Sequence, residues 1–132
     1  MELKEELNLI GKIYREEEKE VWSIVPYKKI RDVIEDVFLS RINRISSISG
    51  YDNGKEIEVI YHFVKDNSLI NIKVLVPKKL NKIETITDLF PGAFLLEREL
   101  SEMLGIKIIG HPKPGKLFLP ENWKGKPPLR KG

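Results

Sequence analysis

Lys55-Glu56-Ile57-Glu58-Val59-Ile60-Tyr61-His62-Phe63-Val64-Lys65, Asp66-Asn67-Ser68 and Leu69-Ile70-Asn71-Ile72-Lys73-Val74-Leu75-Val76 are the consecutive pieces that decide the fold. Ile57, Val59, Tyr61 and Phe63 recur at every second position, as do Ile70, Ile72, Val74 and Val76, with Asn71 and Lys73 between. That is the period of a strand with one face buried. Asp66-Asn67-Ser68 carries turn chemistry, because short polar side chains bond to their own backbone. Ile45 to Tyr51 reads as a further strand, set off by Asp52-Asn53-Gly54. The three runs predict an antiparallel meander.

Moving outward, Ile30, Val33, Ile34, Val37, Phe38 and Ile42 recur at helical spacing, with Arg31, Asp32, Glu35 and Asp36 on the other side. They predict a helix from Tyr27 to about Asn43. Val21 to Val25 has the composition of a strand and feeds that helix through Pro26. Leu3, Leu7, Ile10 and Tyr14 suggest a short amphipathic helix ahead of the run Glu16-Glu17-Glu18. Lys78 to Thr87 reads as a polar connection. A second helix is expected from Ala93 to Leu104, closed by Gly105 in the position past a helix end.

Beyond that, Gly110, Pro112, Pro114, Gly115, Pro120, Gly125, Pro127 and Pro128 punctuate the chain, and proline denies helix and central strand a donor. The expectation is an α+β fold: helices packed on a small mixed or antiparallel sheet in residues 1–106, and an extended proline-rich arm in 107–132. His62 lies on the strand face opposite Tyr61 and is assigned no catalytic role.

The chain's 132 residues and 41% hydrophobic content suit one modest core. A net charge of +3 makes no strong case for nucleic acid or anionic lipid. With no cysteine there are no disulfides, thiolate metal sites or cysteine-held clusters in this chain. Met1-Glu2-Leu3-Lys4-Glu5-Glu6 lacks the basic start of a secretory signal, and no run approaches the ~18 apolar residues of a spanning helix. The chain is expected to be soluble, on the cytoplasmic side.

Plotted at about 100° per residue, Ala93, Leu96, Leu100, Met103 and Leu104 share a stripe assigned to the core. Phe94 and Leu95 point away from it, with Arg98 and Glu102 forming a solvated, paired face. Glu99 and Glu102 could be imagined as an acid–base pair, but no nucleophile or metal set accompanies them. The tail sets Lys113, Lys116, Lys124, Lys126, Arg130 and Lys131 against Glu121 alone, interleaved with Leu117, Phe118, Leu119, Trp123 and Leu129. Such a strip can stack bases and neutralise phosphates, or dock along a protein groove; its proline spacing favours the protein.

Leu89-Phe90-Pro91-Gly92-Ala93, Glu97-Arg98-Glu99, Glu102-Met103-Leu104-Gly105-Ile106, Gly110-His111-Pro112, Leu119-Pro120-Glu121-Asn122-Trp123 and Pro128-Leu129-Arg130-Lys131 together resemble, in order and spacing, blocks of the NuoC-like family of NADH dehydrogenase (respiratory complex I) and its hydrogenase relatives. Phe94-Leu95-Leu96 stands where the family usually has Asn-Trp-Tyr, and Lys113-Pro114-Gly115-Lys116 where it has Asp-Leu-Arg-Arg. Stopping at Gly132, the chain looks most like the short counterpart of that family in an Ech-type energy-converting nickel–iron hydrogenase.

The resemblance implies a non-catalytic, cofactor-free assembly subunit, peripheral on the cytoplasmic face of the membrane. Its partners would be a hydrogenase-like large subunit and a small iron–sulfur subunit, which would hold all nickel–iron and iron–sulfur centres. Glu97, Arg98 and Glu99 would fix the helix and its contacts, with Phe94, Leu95 and Glu102 on the same docking helix. Gly110, His111, Pro112, Phe118, Trp123, Leu129 and Arg130 would lie along the neighbour, His111 being either an interface contact or a capped turn residue. The alternative is a small nucleic-acid-binding module using the basic tail, and a third reading is a hydrolase using Glu99 and Glu102.

Overall fold

In a computed structural model of the chain, residues 12–17, 20–42, 44–112 and 127–130 are described, 12–17 by their backbone alone. The elements are β1 (Lys12–Glu17), β2 (Glu20–Val25), a 3₁₀ turn (Tyr27–Lys29), α1 (Ile30–Leu39), β3 (Arg44–Asp52), β4 (Glu56–Lys65), β5 (Ser68–Pro77), β6 (Lys82–Glu84), α2 (Ala93–Leu104) and β7 (Lys107–Ile109). Five strands form one mixed sheet in the order β1-β2-β5-β4-β3, and β6 and β7 form a separate parallel pair.

The meander forms as its alternation predicts. Phe63 pairs with Ile70, Tyr61 with Ile72 and Val59 with Val74, so one register buries both apolar sets on a single face. Asp66 sits at φ 55 in the two-residue turn between β4 and β5. At the other hairpin Asp52 Oδ1 accepts the Gly54 N–H at 2.8 Å, and Asn53 Oδ1 accepts those of Lys55 and Glu56.

Where the chain enters the sheet depends on β2, which lies parallel to β5 from Glu20↔Leu69 to Val25↔Val74. A parallel neighbour needs a crossover, and α1 is part of it. Ile30, Val33, Ile34 and Val37 of α1 are buried in the same cluster as Ile57, Val59, Tyr61, Phe63, Leu100 and Leu104. Both helices therefore cover one face of the sheet. On the other face, Trp22, Ile24, Ile60 and His62 are half-buried.

Two expectations are corrected. Lys12–Glu17 is a strand antiparallel to β2, so Lys12 to Tyr14 do not end the helix expected to Tyr14; pairing with an available sheet edge outweighs a weak local preference. The rest of that expected helix lies outside the described residues. The connection over 78–87 contains β6, whose Lys82, Ile83 and Glu84 pair with Lys107, Ile108 and Ile109 of β7, the first residues of the 107–132 segment.

α2 crosses the sheet over Gly50 of β3. A Cβ there would collide with the Cδ1 atoms of Leu104 and Leu100, so the helix packs this closely only against a bare backbone. Gly50→Val should therefore destabilise the domain by about 1–3 kcal/mol despite the β-propensity of valine, read as a lower urea midpoint at unchanged m-value.

Candidate docking interface

α2 begins after the Phe90-Pro91-Gly92 turn, where the Ala93 N–H donates to Phe90 O at 2.9 Å. It ends on Gly105 at φ 70, as expected for a left-handed cap. Ala93, Glu97, Leu100 and Leu104 are buried on it, spaced i, i+4, i+7 and i+11 along one stripe. A carboxylate thus occupies the middle of the core-facing row.

Glu97 is 1% exposed. Its Oε1 accepts the hydroxyl protons of Thr85 at 2.5 Å and Thr87 at 2.6 Å, and its Oε2 accepts the Ile86 N–H at 2.9 Å. Three donors replace the water that burial removed, and bonds to a charged acceptor are stronger than neutral ones. The carboxylate clamps residues 85–87 onto the helix. It also lies near the fully buried Tyr61, whose phenol is pushed well above its ordinary range, first by desolvation and then by the charge of Glu97.

The same loop is gripped from α1. Arg31 donates Nη1 to Asp88 Oδ1 at 2.9 Å and Nη2 to Asp88 Oδ2 at 2.6 Å, and Nη1 also reaches Thr85 O at 2.9 Å. These bonds hold Asp88 below the usual carboxylate range and raise the Arg31 guanidinium.

The solvated face expected beside Phe94 is not found. Glu102 is 7% exposed, Arg98 and Phe94 are half-buried, and Glu99 and Leu95 are exposed. The helical wheel placed Glu102 by angle alone, whereas the segments packed beside the helix decide what water reaches. His111 is one of them: its ring tilts against Phe94 at 4.9 Å between centroids, and its Nε2 donates to Phe94 O at 2.8 Å. That bond places the proton on Nε2. Gly110, at φ 82, makes the turn that delivers His111, and Pro112 is exposed.

At the opposite end of α2 the chain returns. The Leu129 N–H donates to Met103 O at 2.8 Å, while the Leu129 side chain stays exposed. Arg130 Nη1 donates to Leu104 O at 2.7 Å and to Asn81 Oδ1 at 3.0 Å, and its Nε lies 3.6 Å from Asp52 Oδ2. Asp52 is itself buried and paired with Lys78 Nζ at 2.8 Å. Pro127 lies over Gly105, where a Cβ would come within 2.6 Å of its Cγ. Residues 112 and 127 thus adjoin fixed points at the two ends of one helix. Phe118 and Trp123 lie outside the described residues.

Sequence reasoning missed Thr85, Thr87, Asn81, Asp52 and Lys78. Glu97 on the buried row was a usable signal for a clamp, but the identity of its donors was not written locally. His62 joins Ser49 (Nε2 to Oγ, 2.7 Å) and Asn71 (Nδ1 to Oδ1, 2.6 Å), and the Asn71 amide donates to Glu20 at 3.1 Å. The order Ser–His–Asn suggests a hydrolase, yet all three residues lie within paired strands, whose backbone donors serve the sheet and not an oxyanion. Among the described residues no cluster of three or more His, Asp or Glu side chains could hold a metal ion. No described helix is long and apolar enough to cross a membrane.

The fold and these clusters define a small α+β scaffold whose buried charges fix loops and a returning terminal segment. The chain belongs to the family described as respiratory-chain NADH dehydrogenase, 30 Kd subunit, whose model matches residues 23–132. It is 38% identical over 96 residues to a NuoC-type polypeptide of the NADH-quinone oxidoreductase of Roseiflexus sp. (strain RS-1), covering 69% of this chain and 55% of that one. It therefore spans little more than half of that relative's length.

Among solved structures, a chain of the membrane-bound sulfane sulfur reductase, an archaeal respiratory membrane complex, superposes with TM-score 0.82 at 26% identity, over 98% of this chain and 81% of that one. The trypsin-resistant fragment of Nqo5 does so with TM-score 0.76 at 25% identity, over 84% of this chain and 96% of that one.

Glu97→Ala should cost about 1–3 kcal/mol or more in urea unfolding, because it strands the Ile86 N–H in the interior. Glu97→Gln, which keeps one carbonyl oxygen, should cost less. A depressed carboxylate stabilises the fold above its unfolded pKa, ~3.9 for aspartate, and loses that contribution as pH falls through the lower folded value. The melting-temperature gap between wild type and Asp88→Asn should accordingly shrink as pH is lowered from 5 toward 2.5 (roughly the window those values bracket).

Proposed function

We propose that this chain is a non-catalytic, cofactor-free assembly subunit of a complex I-like membrane oxidoreductase, peripheral on the cytoplasmic face, docked on the large catalytic subunit beside a small iron–sulfur subunit. The observation that carries this reading is the tethering of the C-terminal segment at both ends of α2, through His111 on Phe94 and through Leu129 and Arg130 on Met103 and Leu104. Residues 112 and 127, which bound the stretch that carries Phe118 and Trp123, thereby adjoin fixed points on the domain, and a stretch bounded in this way would lose less entropy on binding than a free tail.

Buried charge supports the same reading. The buried Glu97 and Asp52 and the largely covered Arg130 are all engaged within their own chain, so the carboxylates that elsewhere do acid–base chemistry are here occupied in holding shape. Arg130, expected from the sequence to meet a partner, acts in this reading by fixing the arm, while Leu129 beside it faces outward. Relatives include a polypeptide of an NADH-quinone oxidoreductase and a chain of a sulfane sulfur reductase. The acceptor is accordingly a property of other subunits, and hydrogenase and NADH dehydrogenase assemblies are both open to this chain.

The test is co-purification of the tagged chain from native membranes. A large subunit with two Cys-x-x-Cys pairs, retained at moderate salt, is the expected companion of a hydrogenase; one lacking those cysteines indicates a complex I-type assembly. Trp123→Ala should reduce recovery of that companion at least tenfold, on the order of the 1.4 kcal/mol or more that an apolar anchor contributes at an interface. A basic nucleic-acid module would instead release its ligand steeply as salt rises. Retention that is salt-labile and indifferent to Trp123 would favour that alternative.

A further inference from the structure

Where α1 ends and β3 begins, a cleft of about 410 Å³ opens between Phe38 and Ile45 and the Leu89-Phe90-Pro91 turn. Its floor is apolar: Phe90 is buried and meets Phe38 edge to face at 5.9 Å between centroids. Phe38 nevertheless remains 47% exposed, and the adjoining Leu39 75%. Arg41 and Arg44 line the same cleft and, among the described residues, no carboxylate does. Both arginines are exposed and neither pairs with a described residue, in contrast to Arg31 and Arg130.

Arg41 is also held at φ 59. It follows the cap of α1, with its N–H bonded back to Phe38 O at 3.3 Å. Glycine is the usual residue at that left-handed position because a Cβ is disfavoured there. The chain keeps a long cation where the isolated domain would be better served by no side chain at all.

We propose that this cleft binds an acidic peptide segment of a neighbouring subunit, with an aliphatic or aromatic side chain resting on Phe38 and Phe90 and flanking carboxylates paired with Arg41 and Arg44. It rests on the subunit reading above and adds a second contact, at the end of α2 opposite Leu129 and Arg130. Guanidinium groups grip carboxylates with two parallel hydrogen bonds, and an apolar floor beside them selects a peptide carrying both features. The chain's own residues 113–126 have the wrong sign, with Lys113, Lys116, Lys124 and Lys126 against Glu121.

The experiment places a photo-crosslinking residue at position 39 of the tagged full chain and recovers the complex from native membranes. The expected product is a peptide of another subunit with at least two carboxylates beside a large apolar residue. Arg41→Gly combined with Arg44→Ser should lower its yield at least tenfold. Arg41→Gly alone should leave the melting temperature of the chain unchanged or higher, which separates lost docking from lost folding. A cross-link to lipid, to a basic peptide or to this chain's own residues overturns the proposal, as does undiminished yield in the double variant. If wild-type chain recovers no other subunit, the subunit reading itself fails and this cleft assignment falls with it; if the complex is recovered without the acidic cross-link, only the cleft assignment falls.

Discussion

The geometry of α2 depends on one buried carboxylate. Glu97 sits where the helical row calls for an apolar side chain, and it is tolerable there only because Thr85, Ile86 and Thr87 bring it three donors. The dependence runs both ways. Without the carboxylate the Ile86 N–H has no acceptor, and without the loop an ion is left in the core. Since the loop leads directly into the Phe90-Pro91-Gly92 turn, fixing it fixes the angle at which α2 starts and hence where its far end meets β3 at Gly50.

That arrangement explains which parts of the fold were legible in the sequence. β4 and β5 were, because apolar residues recur at every second position, Ile57 to Phe63 and Ile70 to Val76, and Asp66-Asn67 supplies the turn; α2 was, because Gly105 marks its end. β6 and β7 were not. Each is a strand of three residues, too short to show a period, and each exists because the other is beside it. β1 was misread because a few apolar residues at helical spacing carry little free energy against pairing with a sheet edge.

The candidate interface was legible as composition and order rather than as contacts. Family-like blocks at Glu97-Arg98-Glu99, Gly110-His111-Pro112 and Pro128-Leu129-Arg130 fall on segments that the structure ties to other parts of the chain. What each does is set by partners far away in sequence: Arg130 finds Asp52 and Asn81, and Asp52 finds Lys78. A wheel or a motif reports which face a residue occupies. It cannot report that another segment will cover that face, which is why Glu102 and Phe94 read as solvated.

Buried ion pairs add little net stability, since desolvating the charges offsets much of their attraction, but removing one partner is costly. That asymmetry suits a returning segment. Leu129 and Arg130 could be held by apolar packing alone, yet apolar packing tolerates sliding by a residue, whereas a guanidinium that must meet Leu104 O, Asn81 Oδ1 and the Asp52 carboxylate at once accepts a single register. The Glu97 clamp sets the near end of α2 by the same rule. In this protein the buried charges specify where segments lie more than they stabilise the fold.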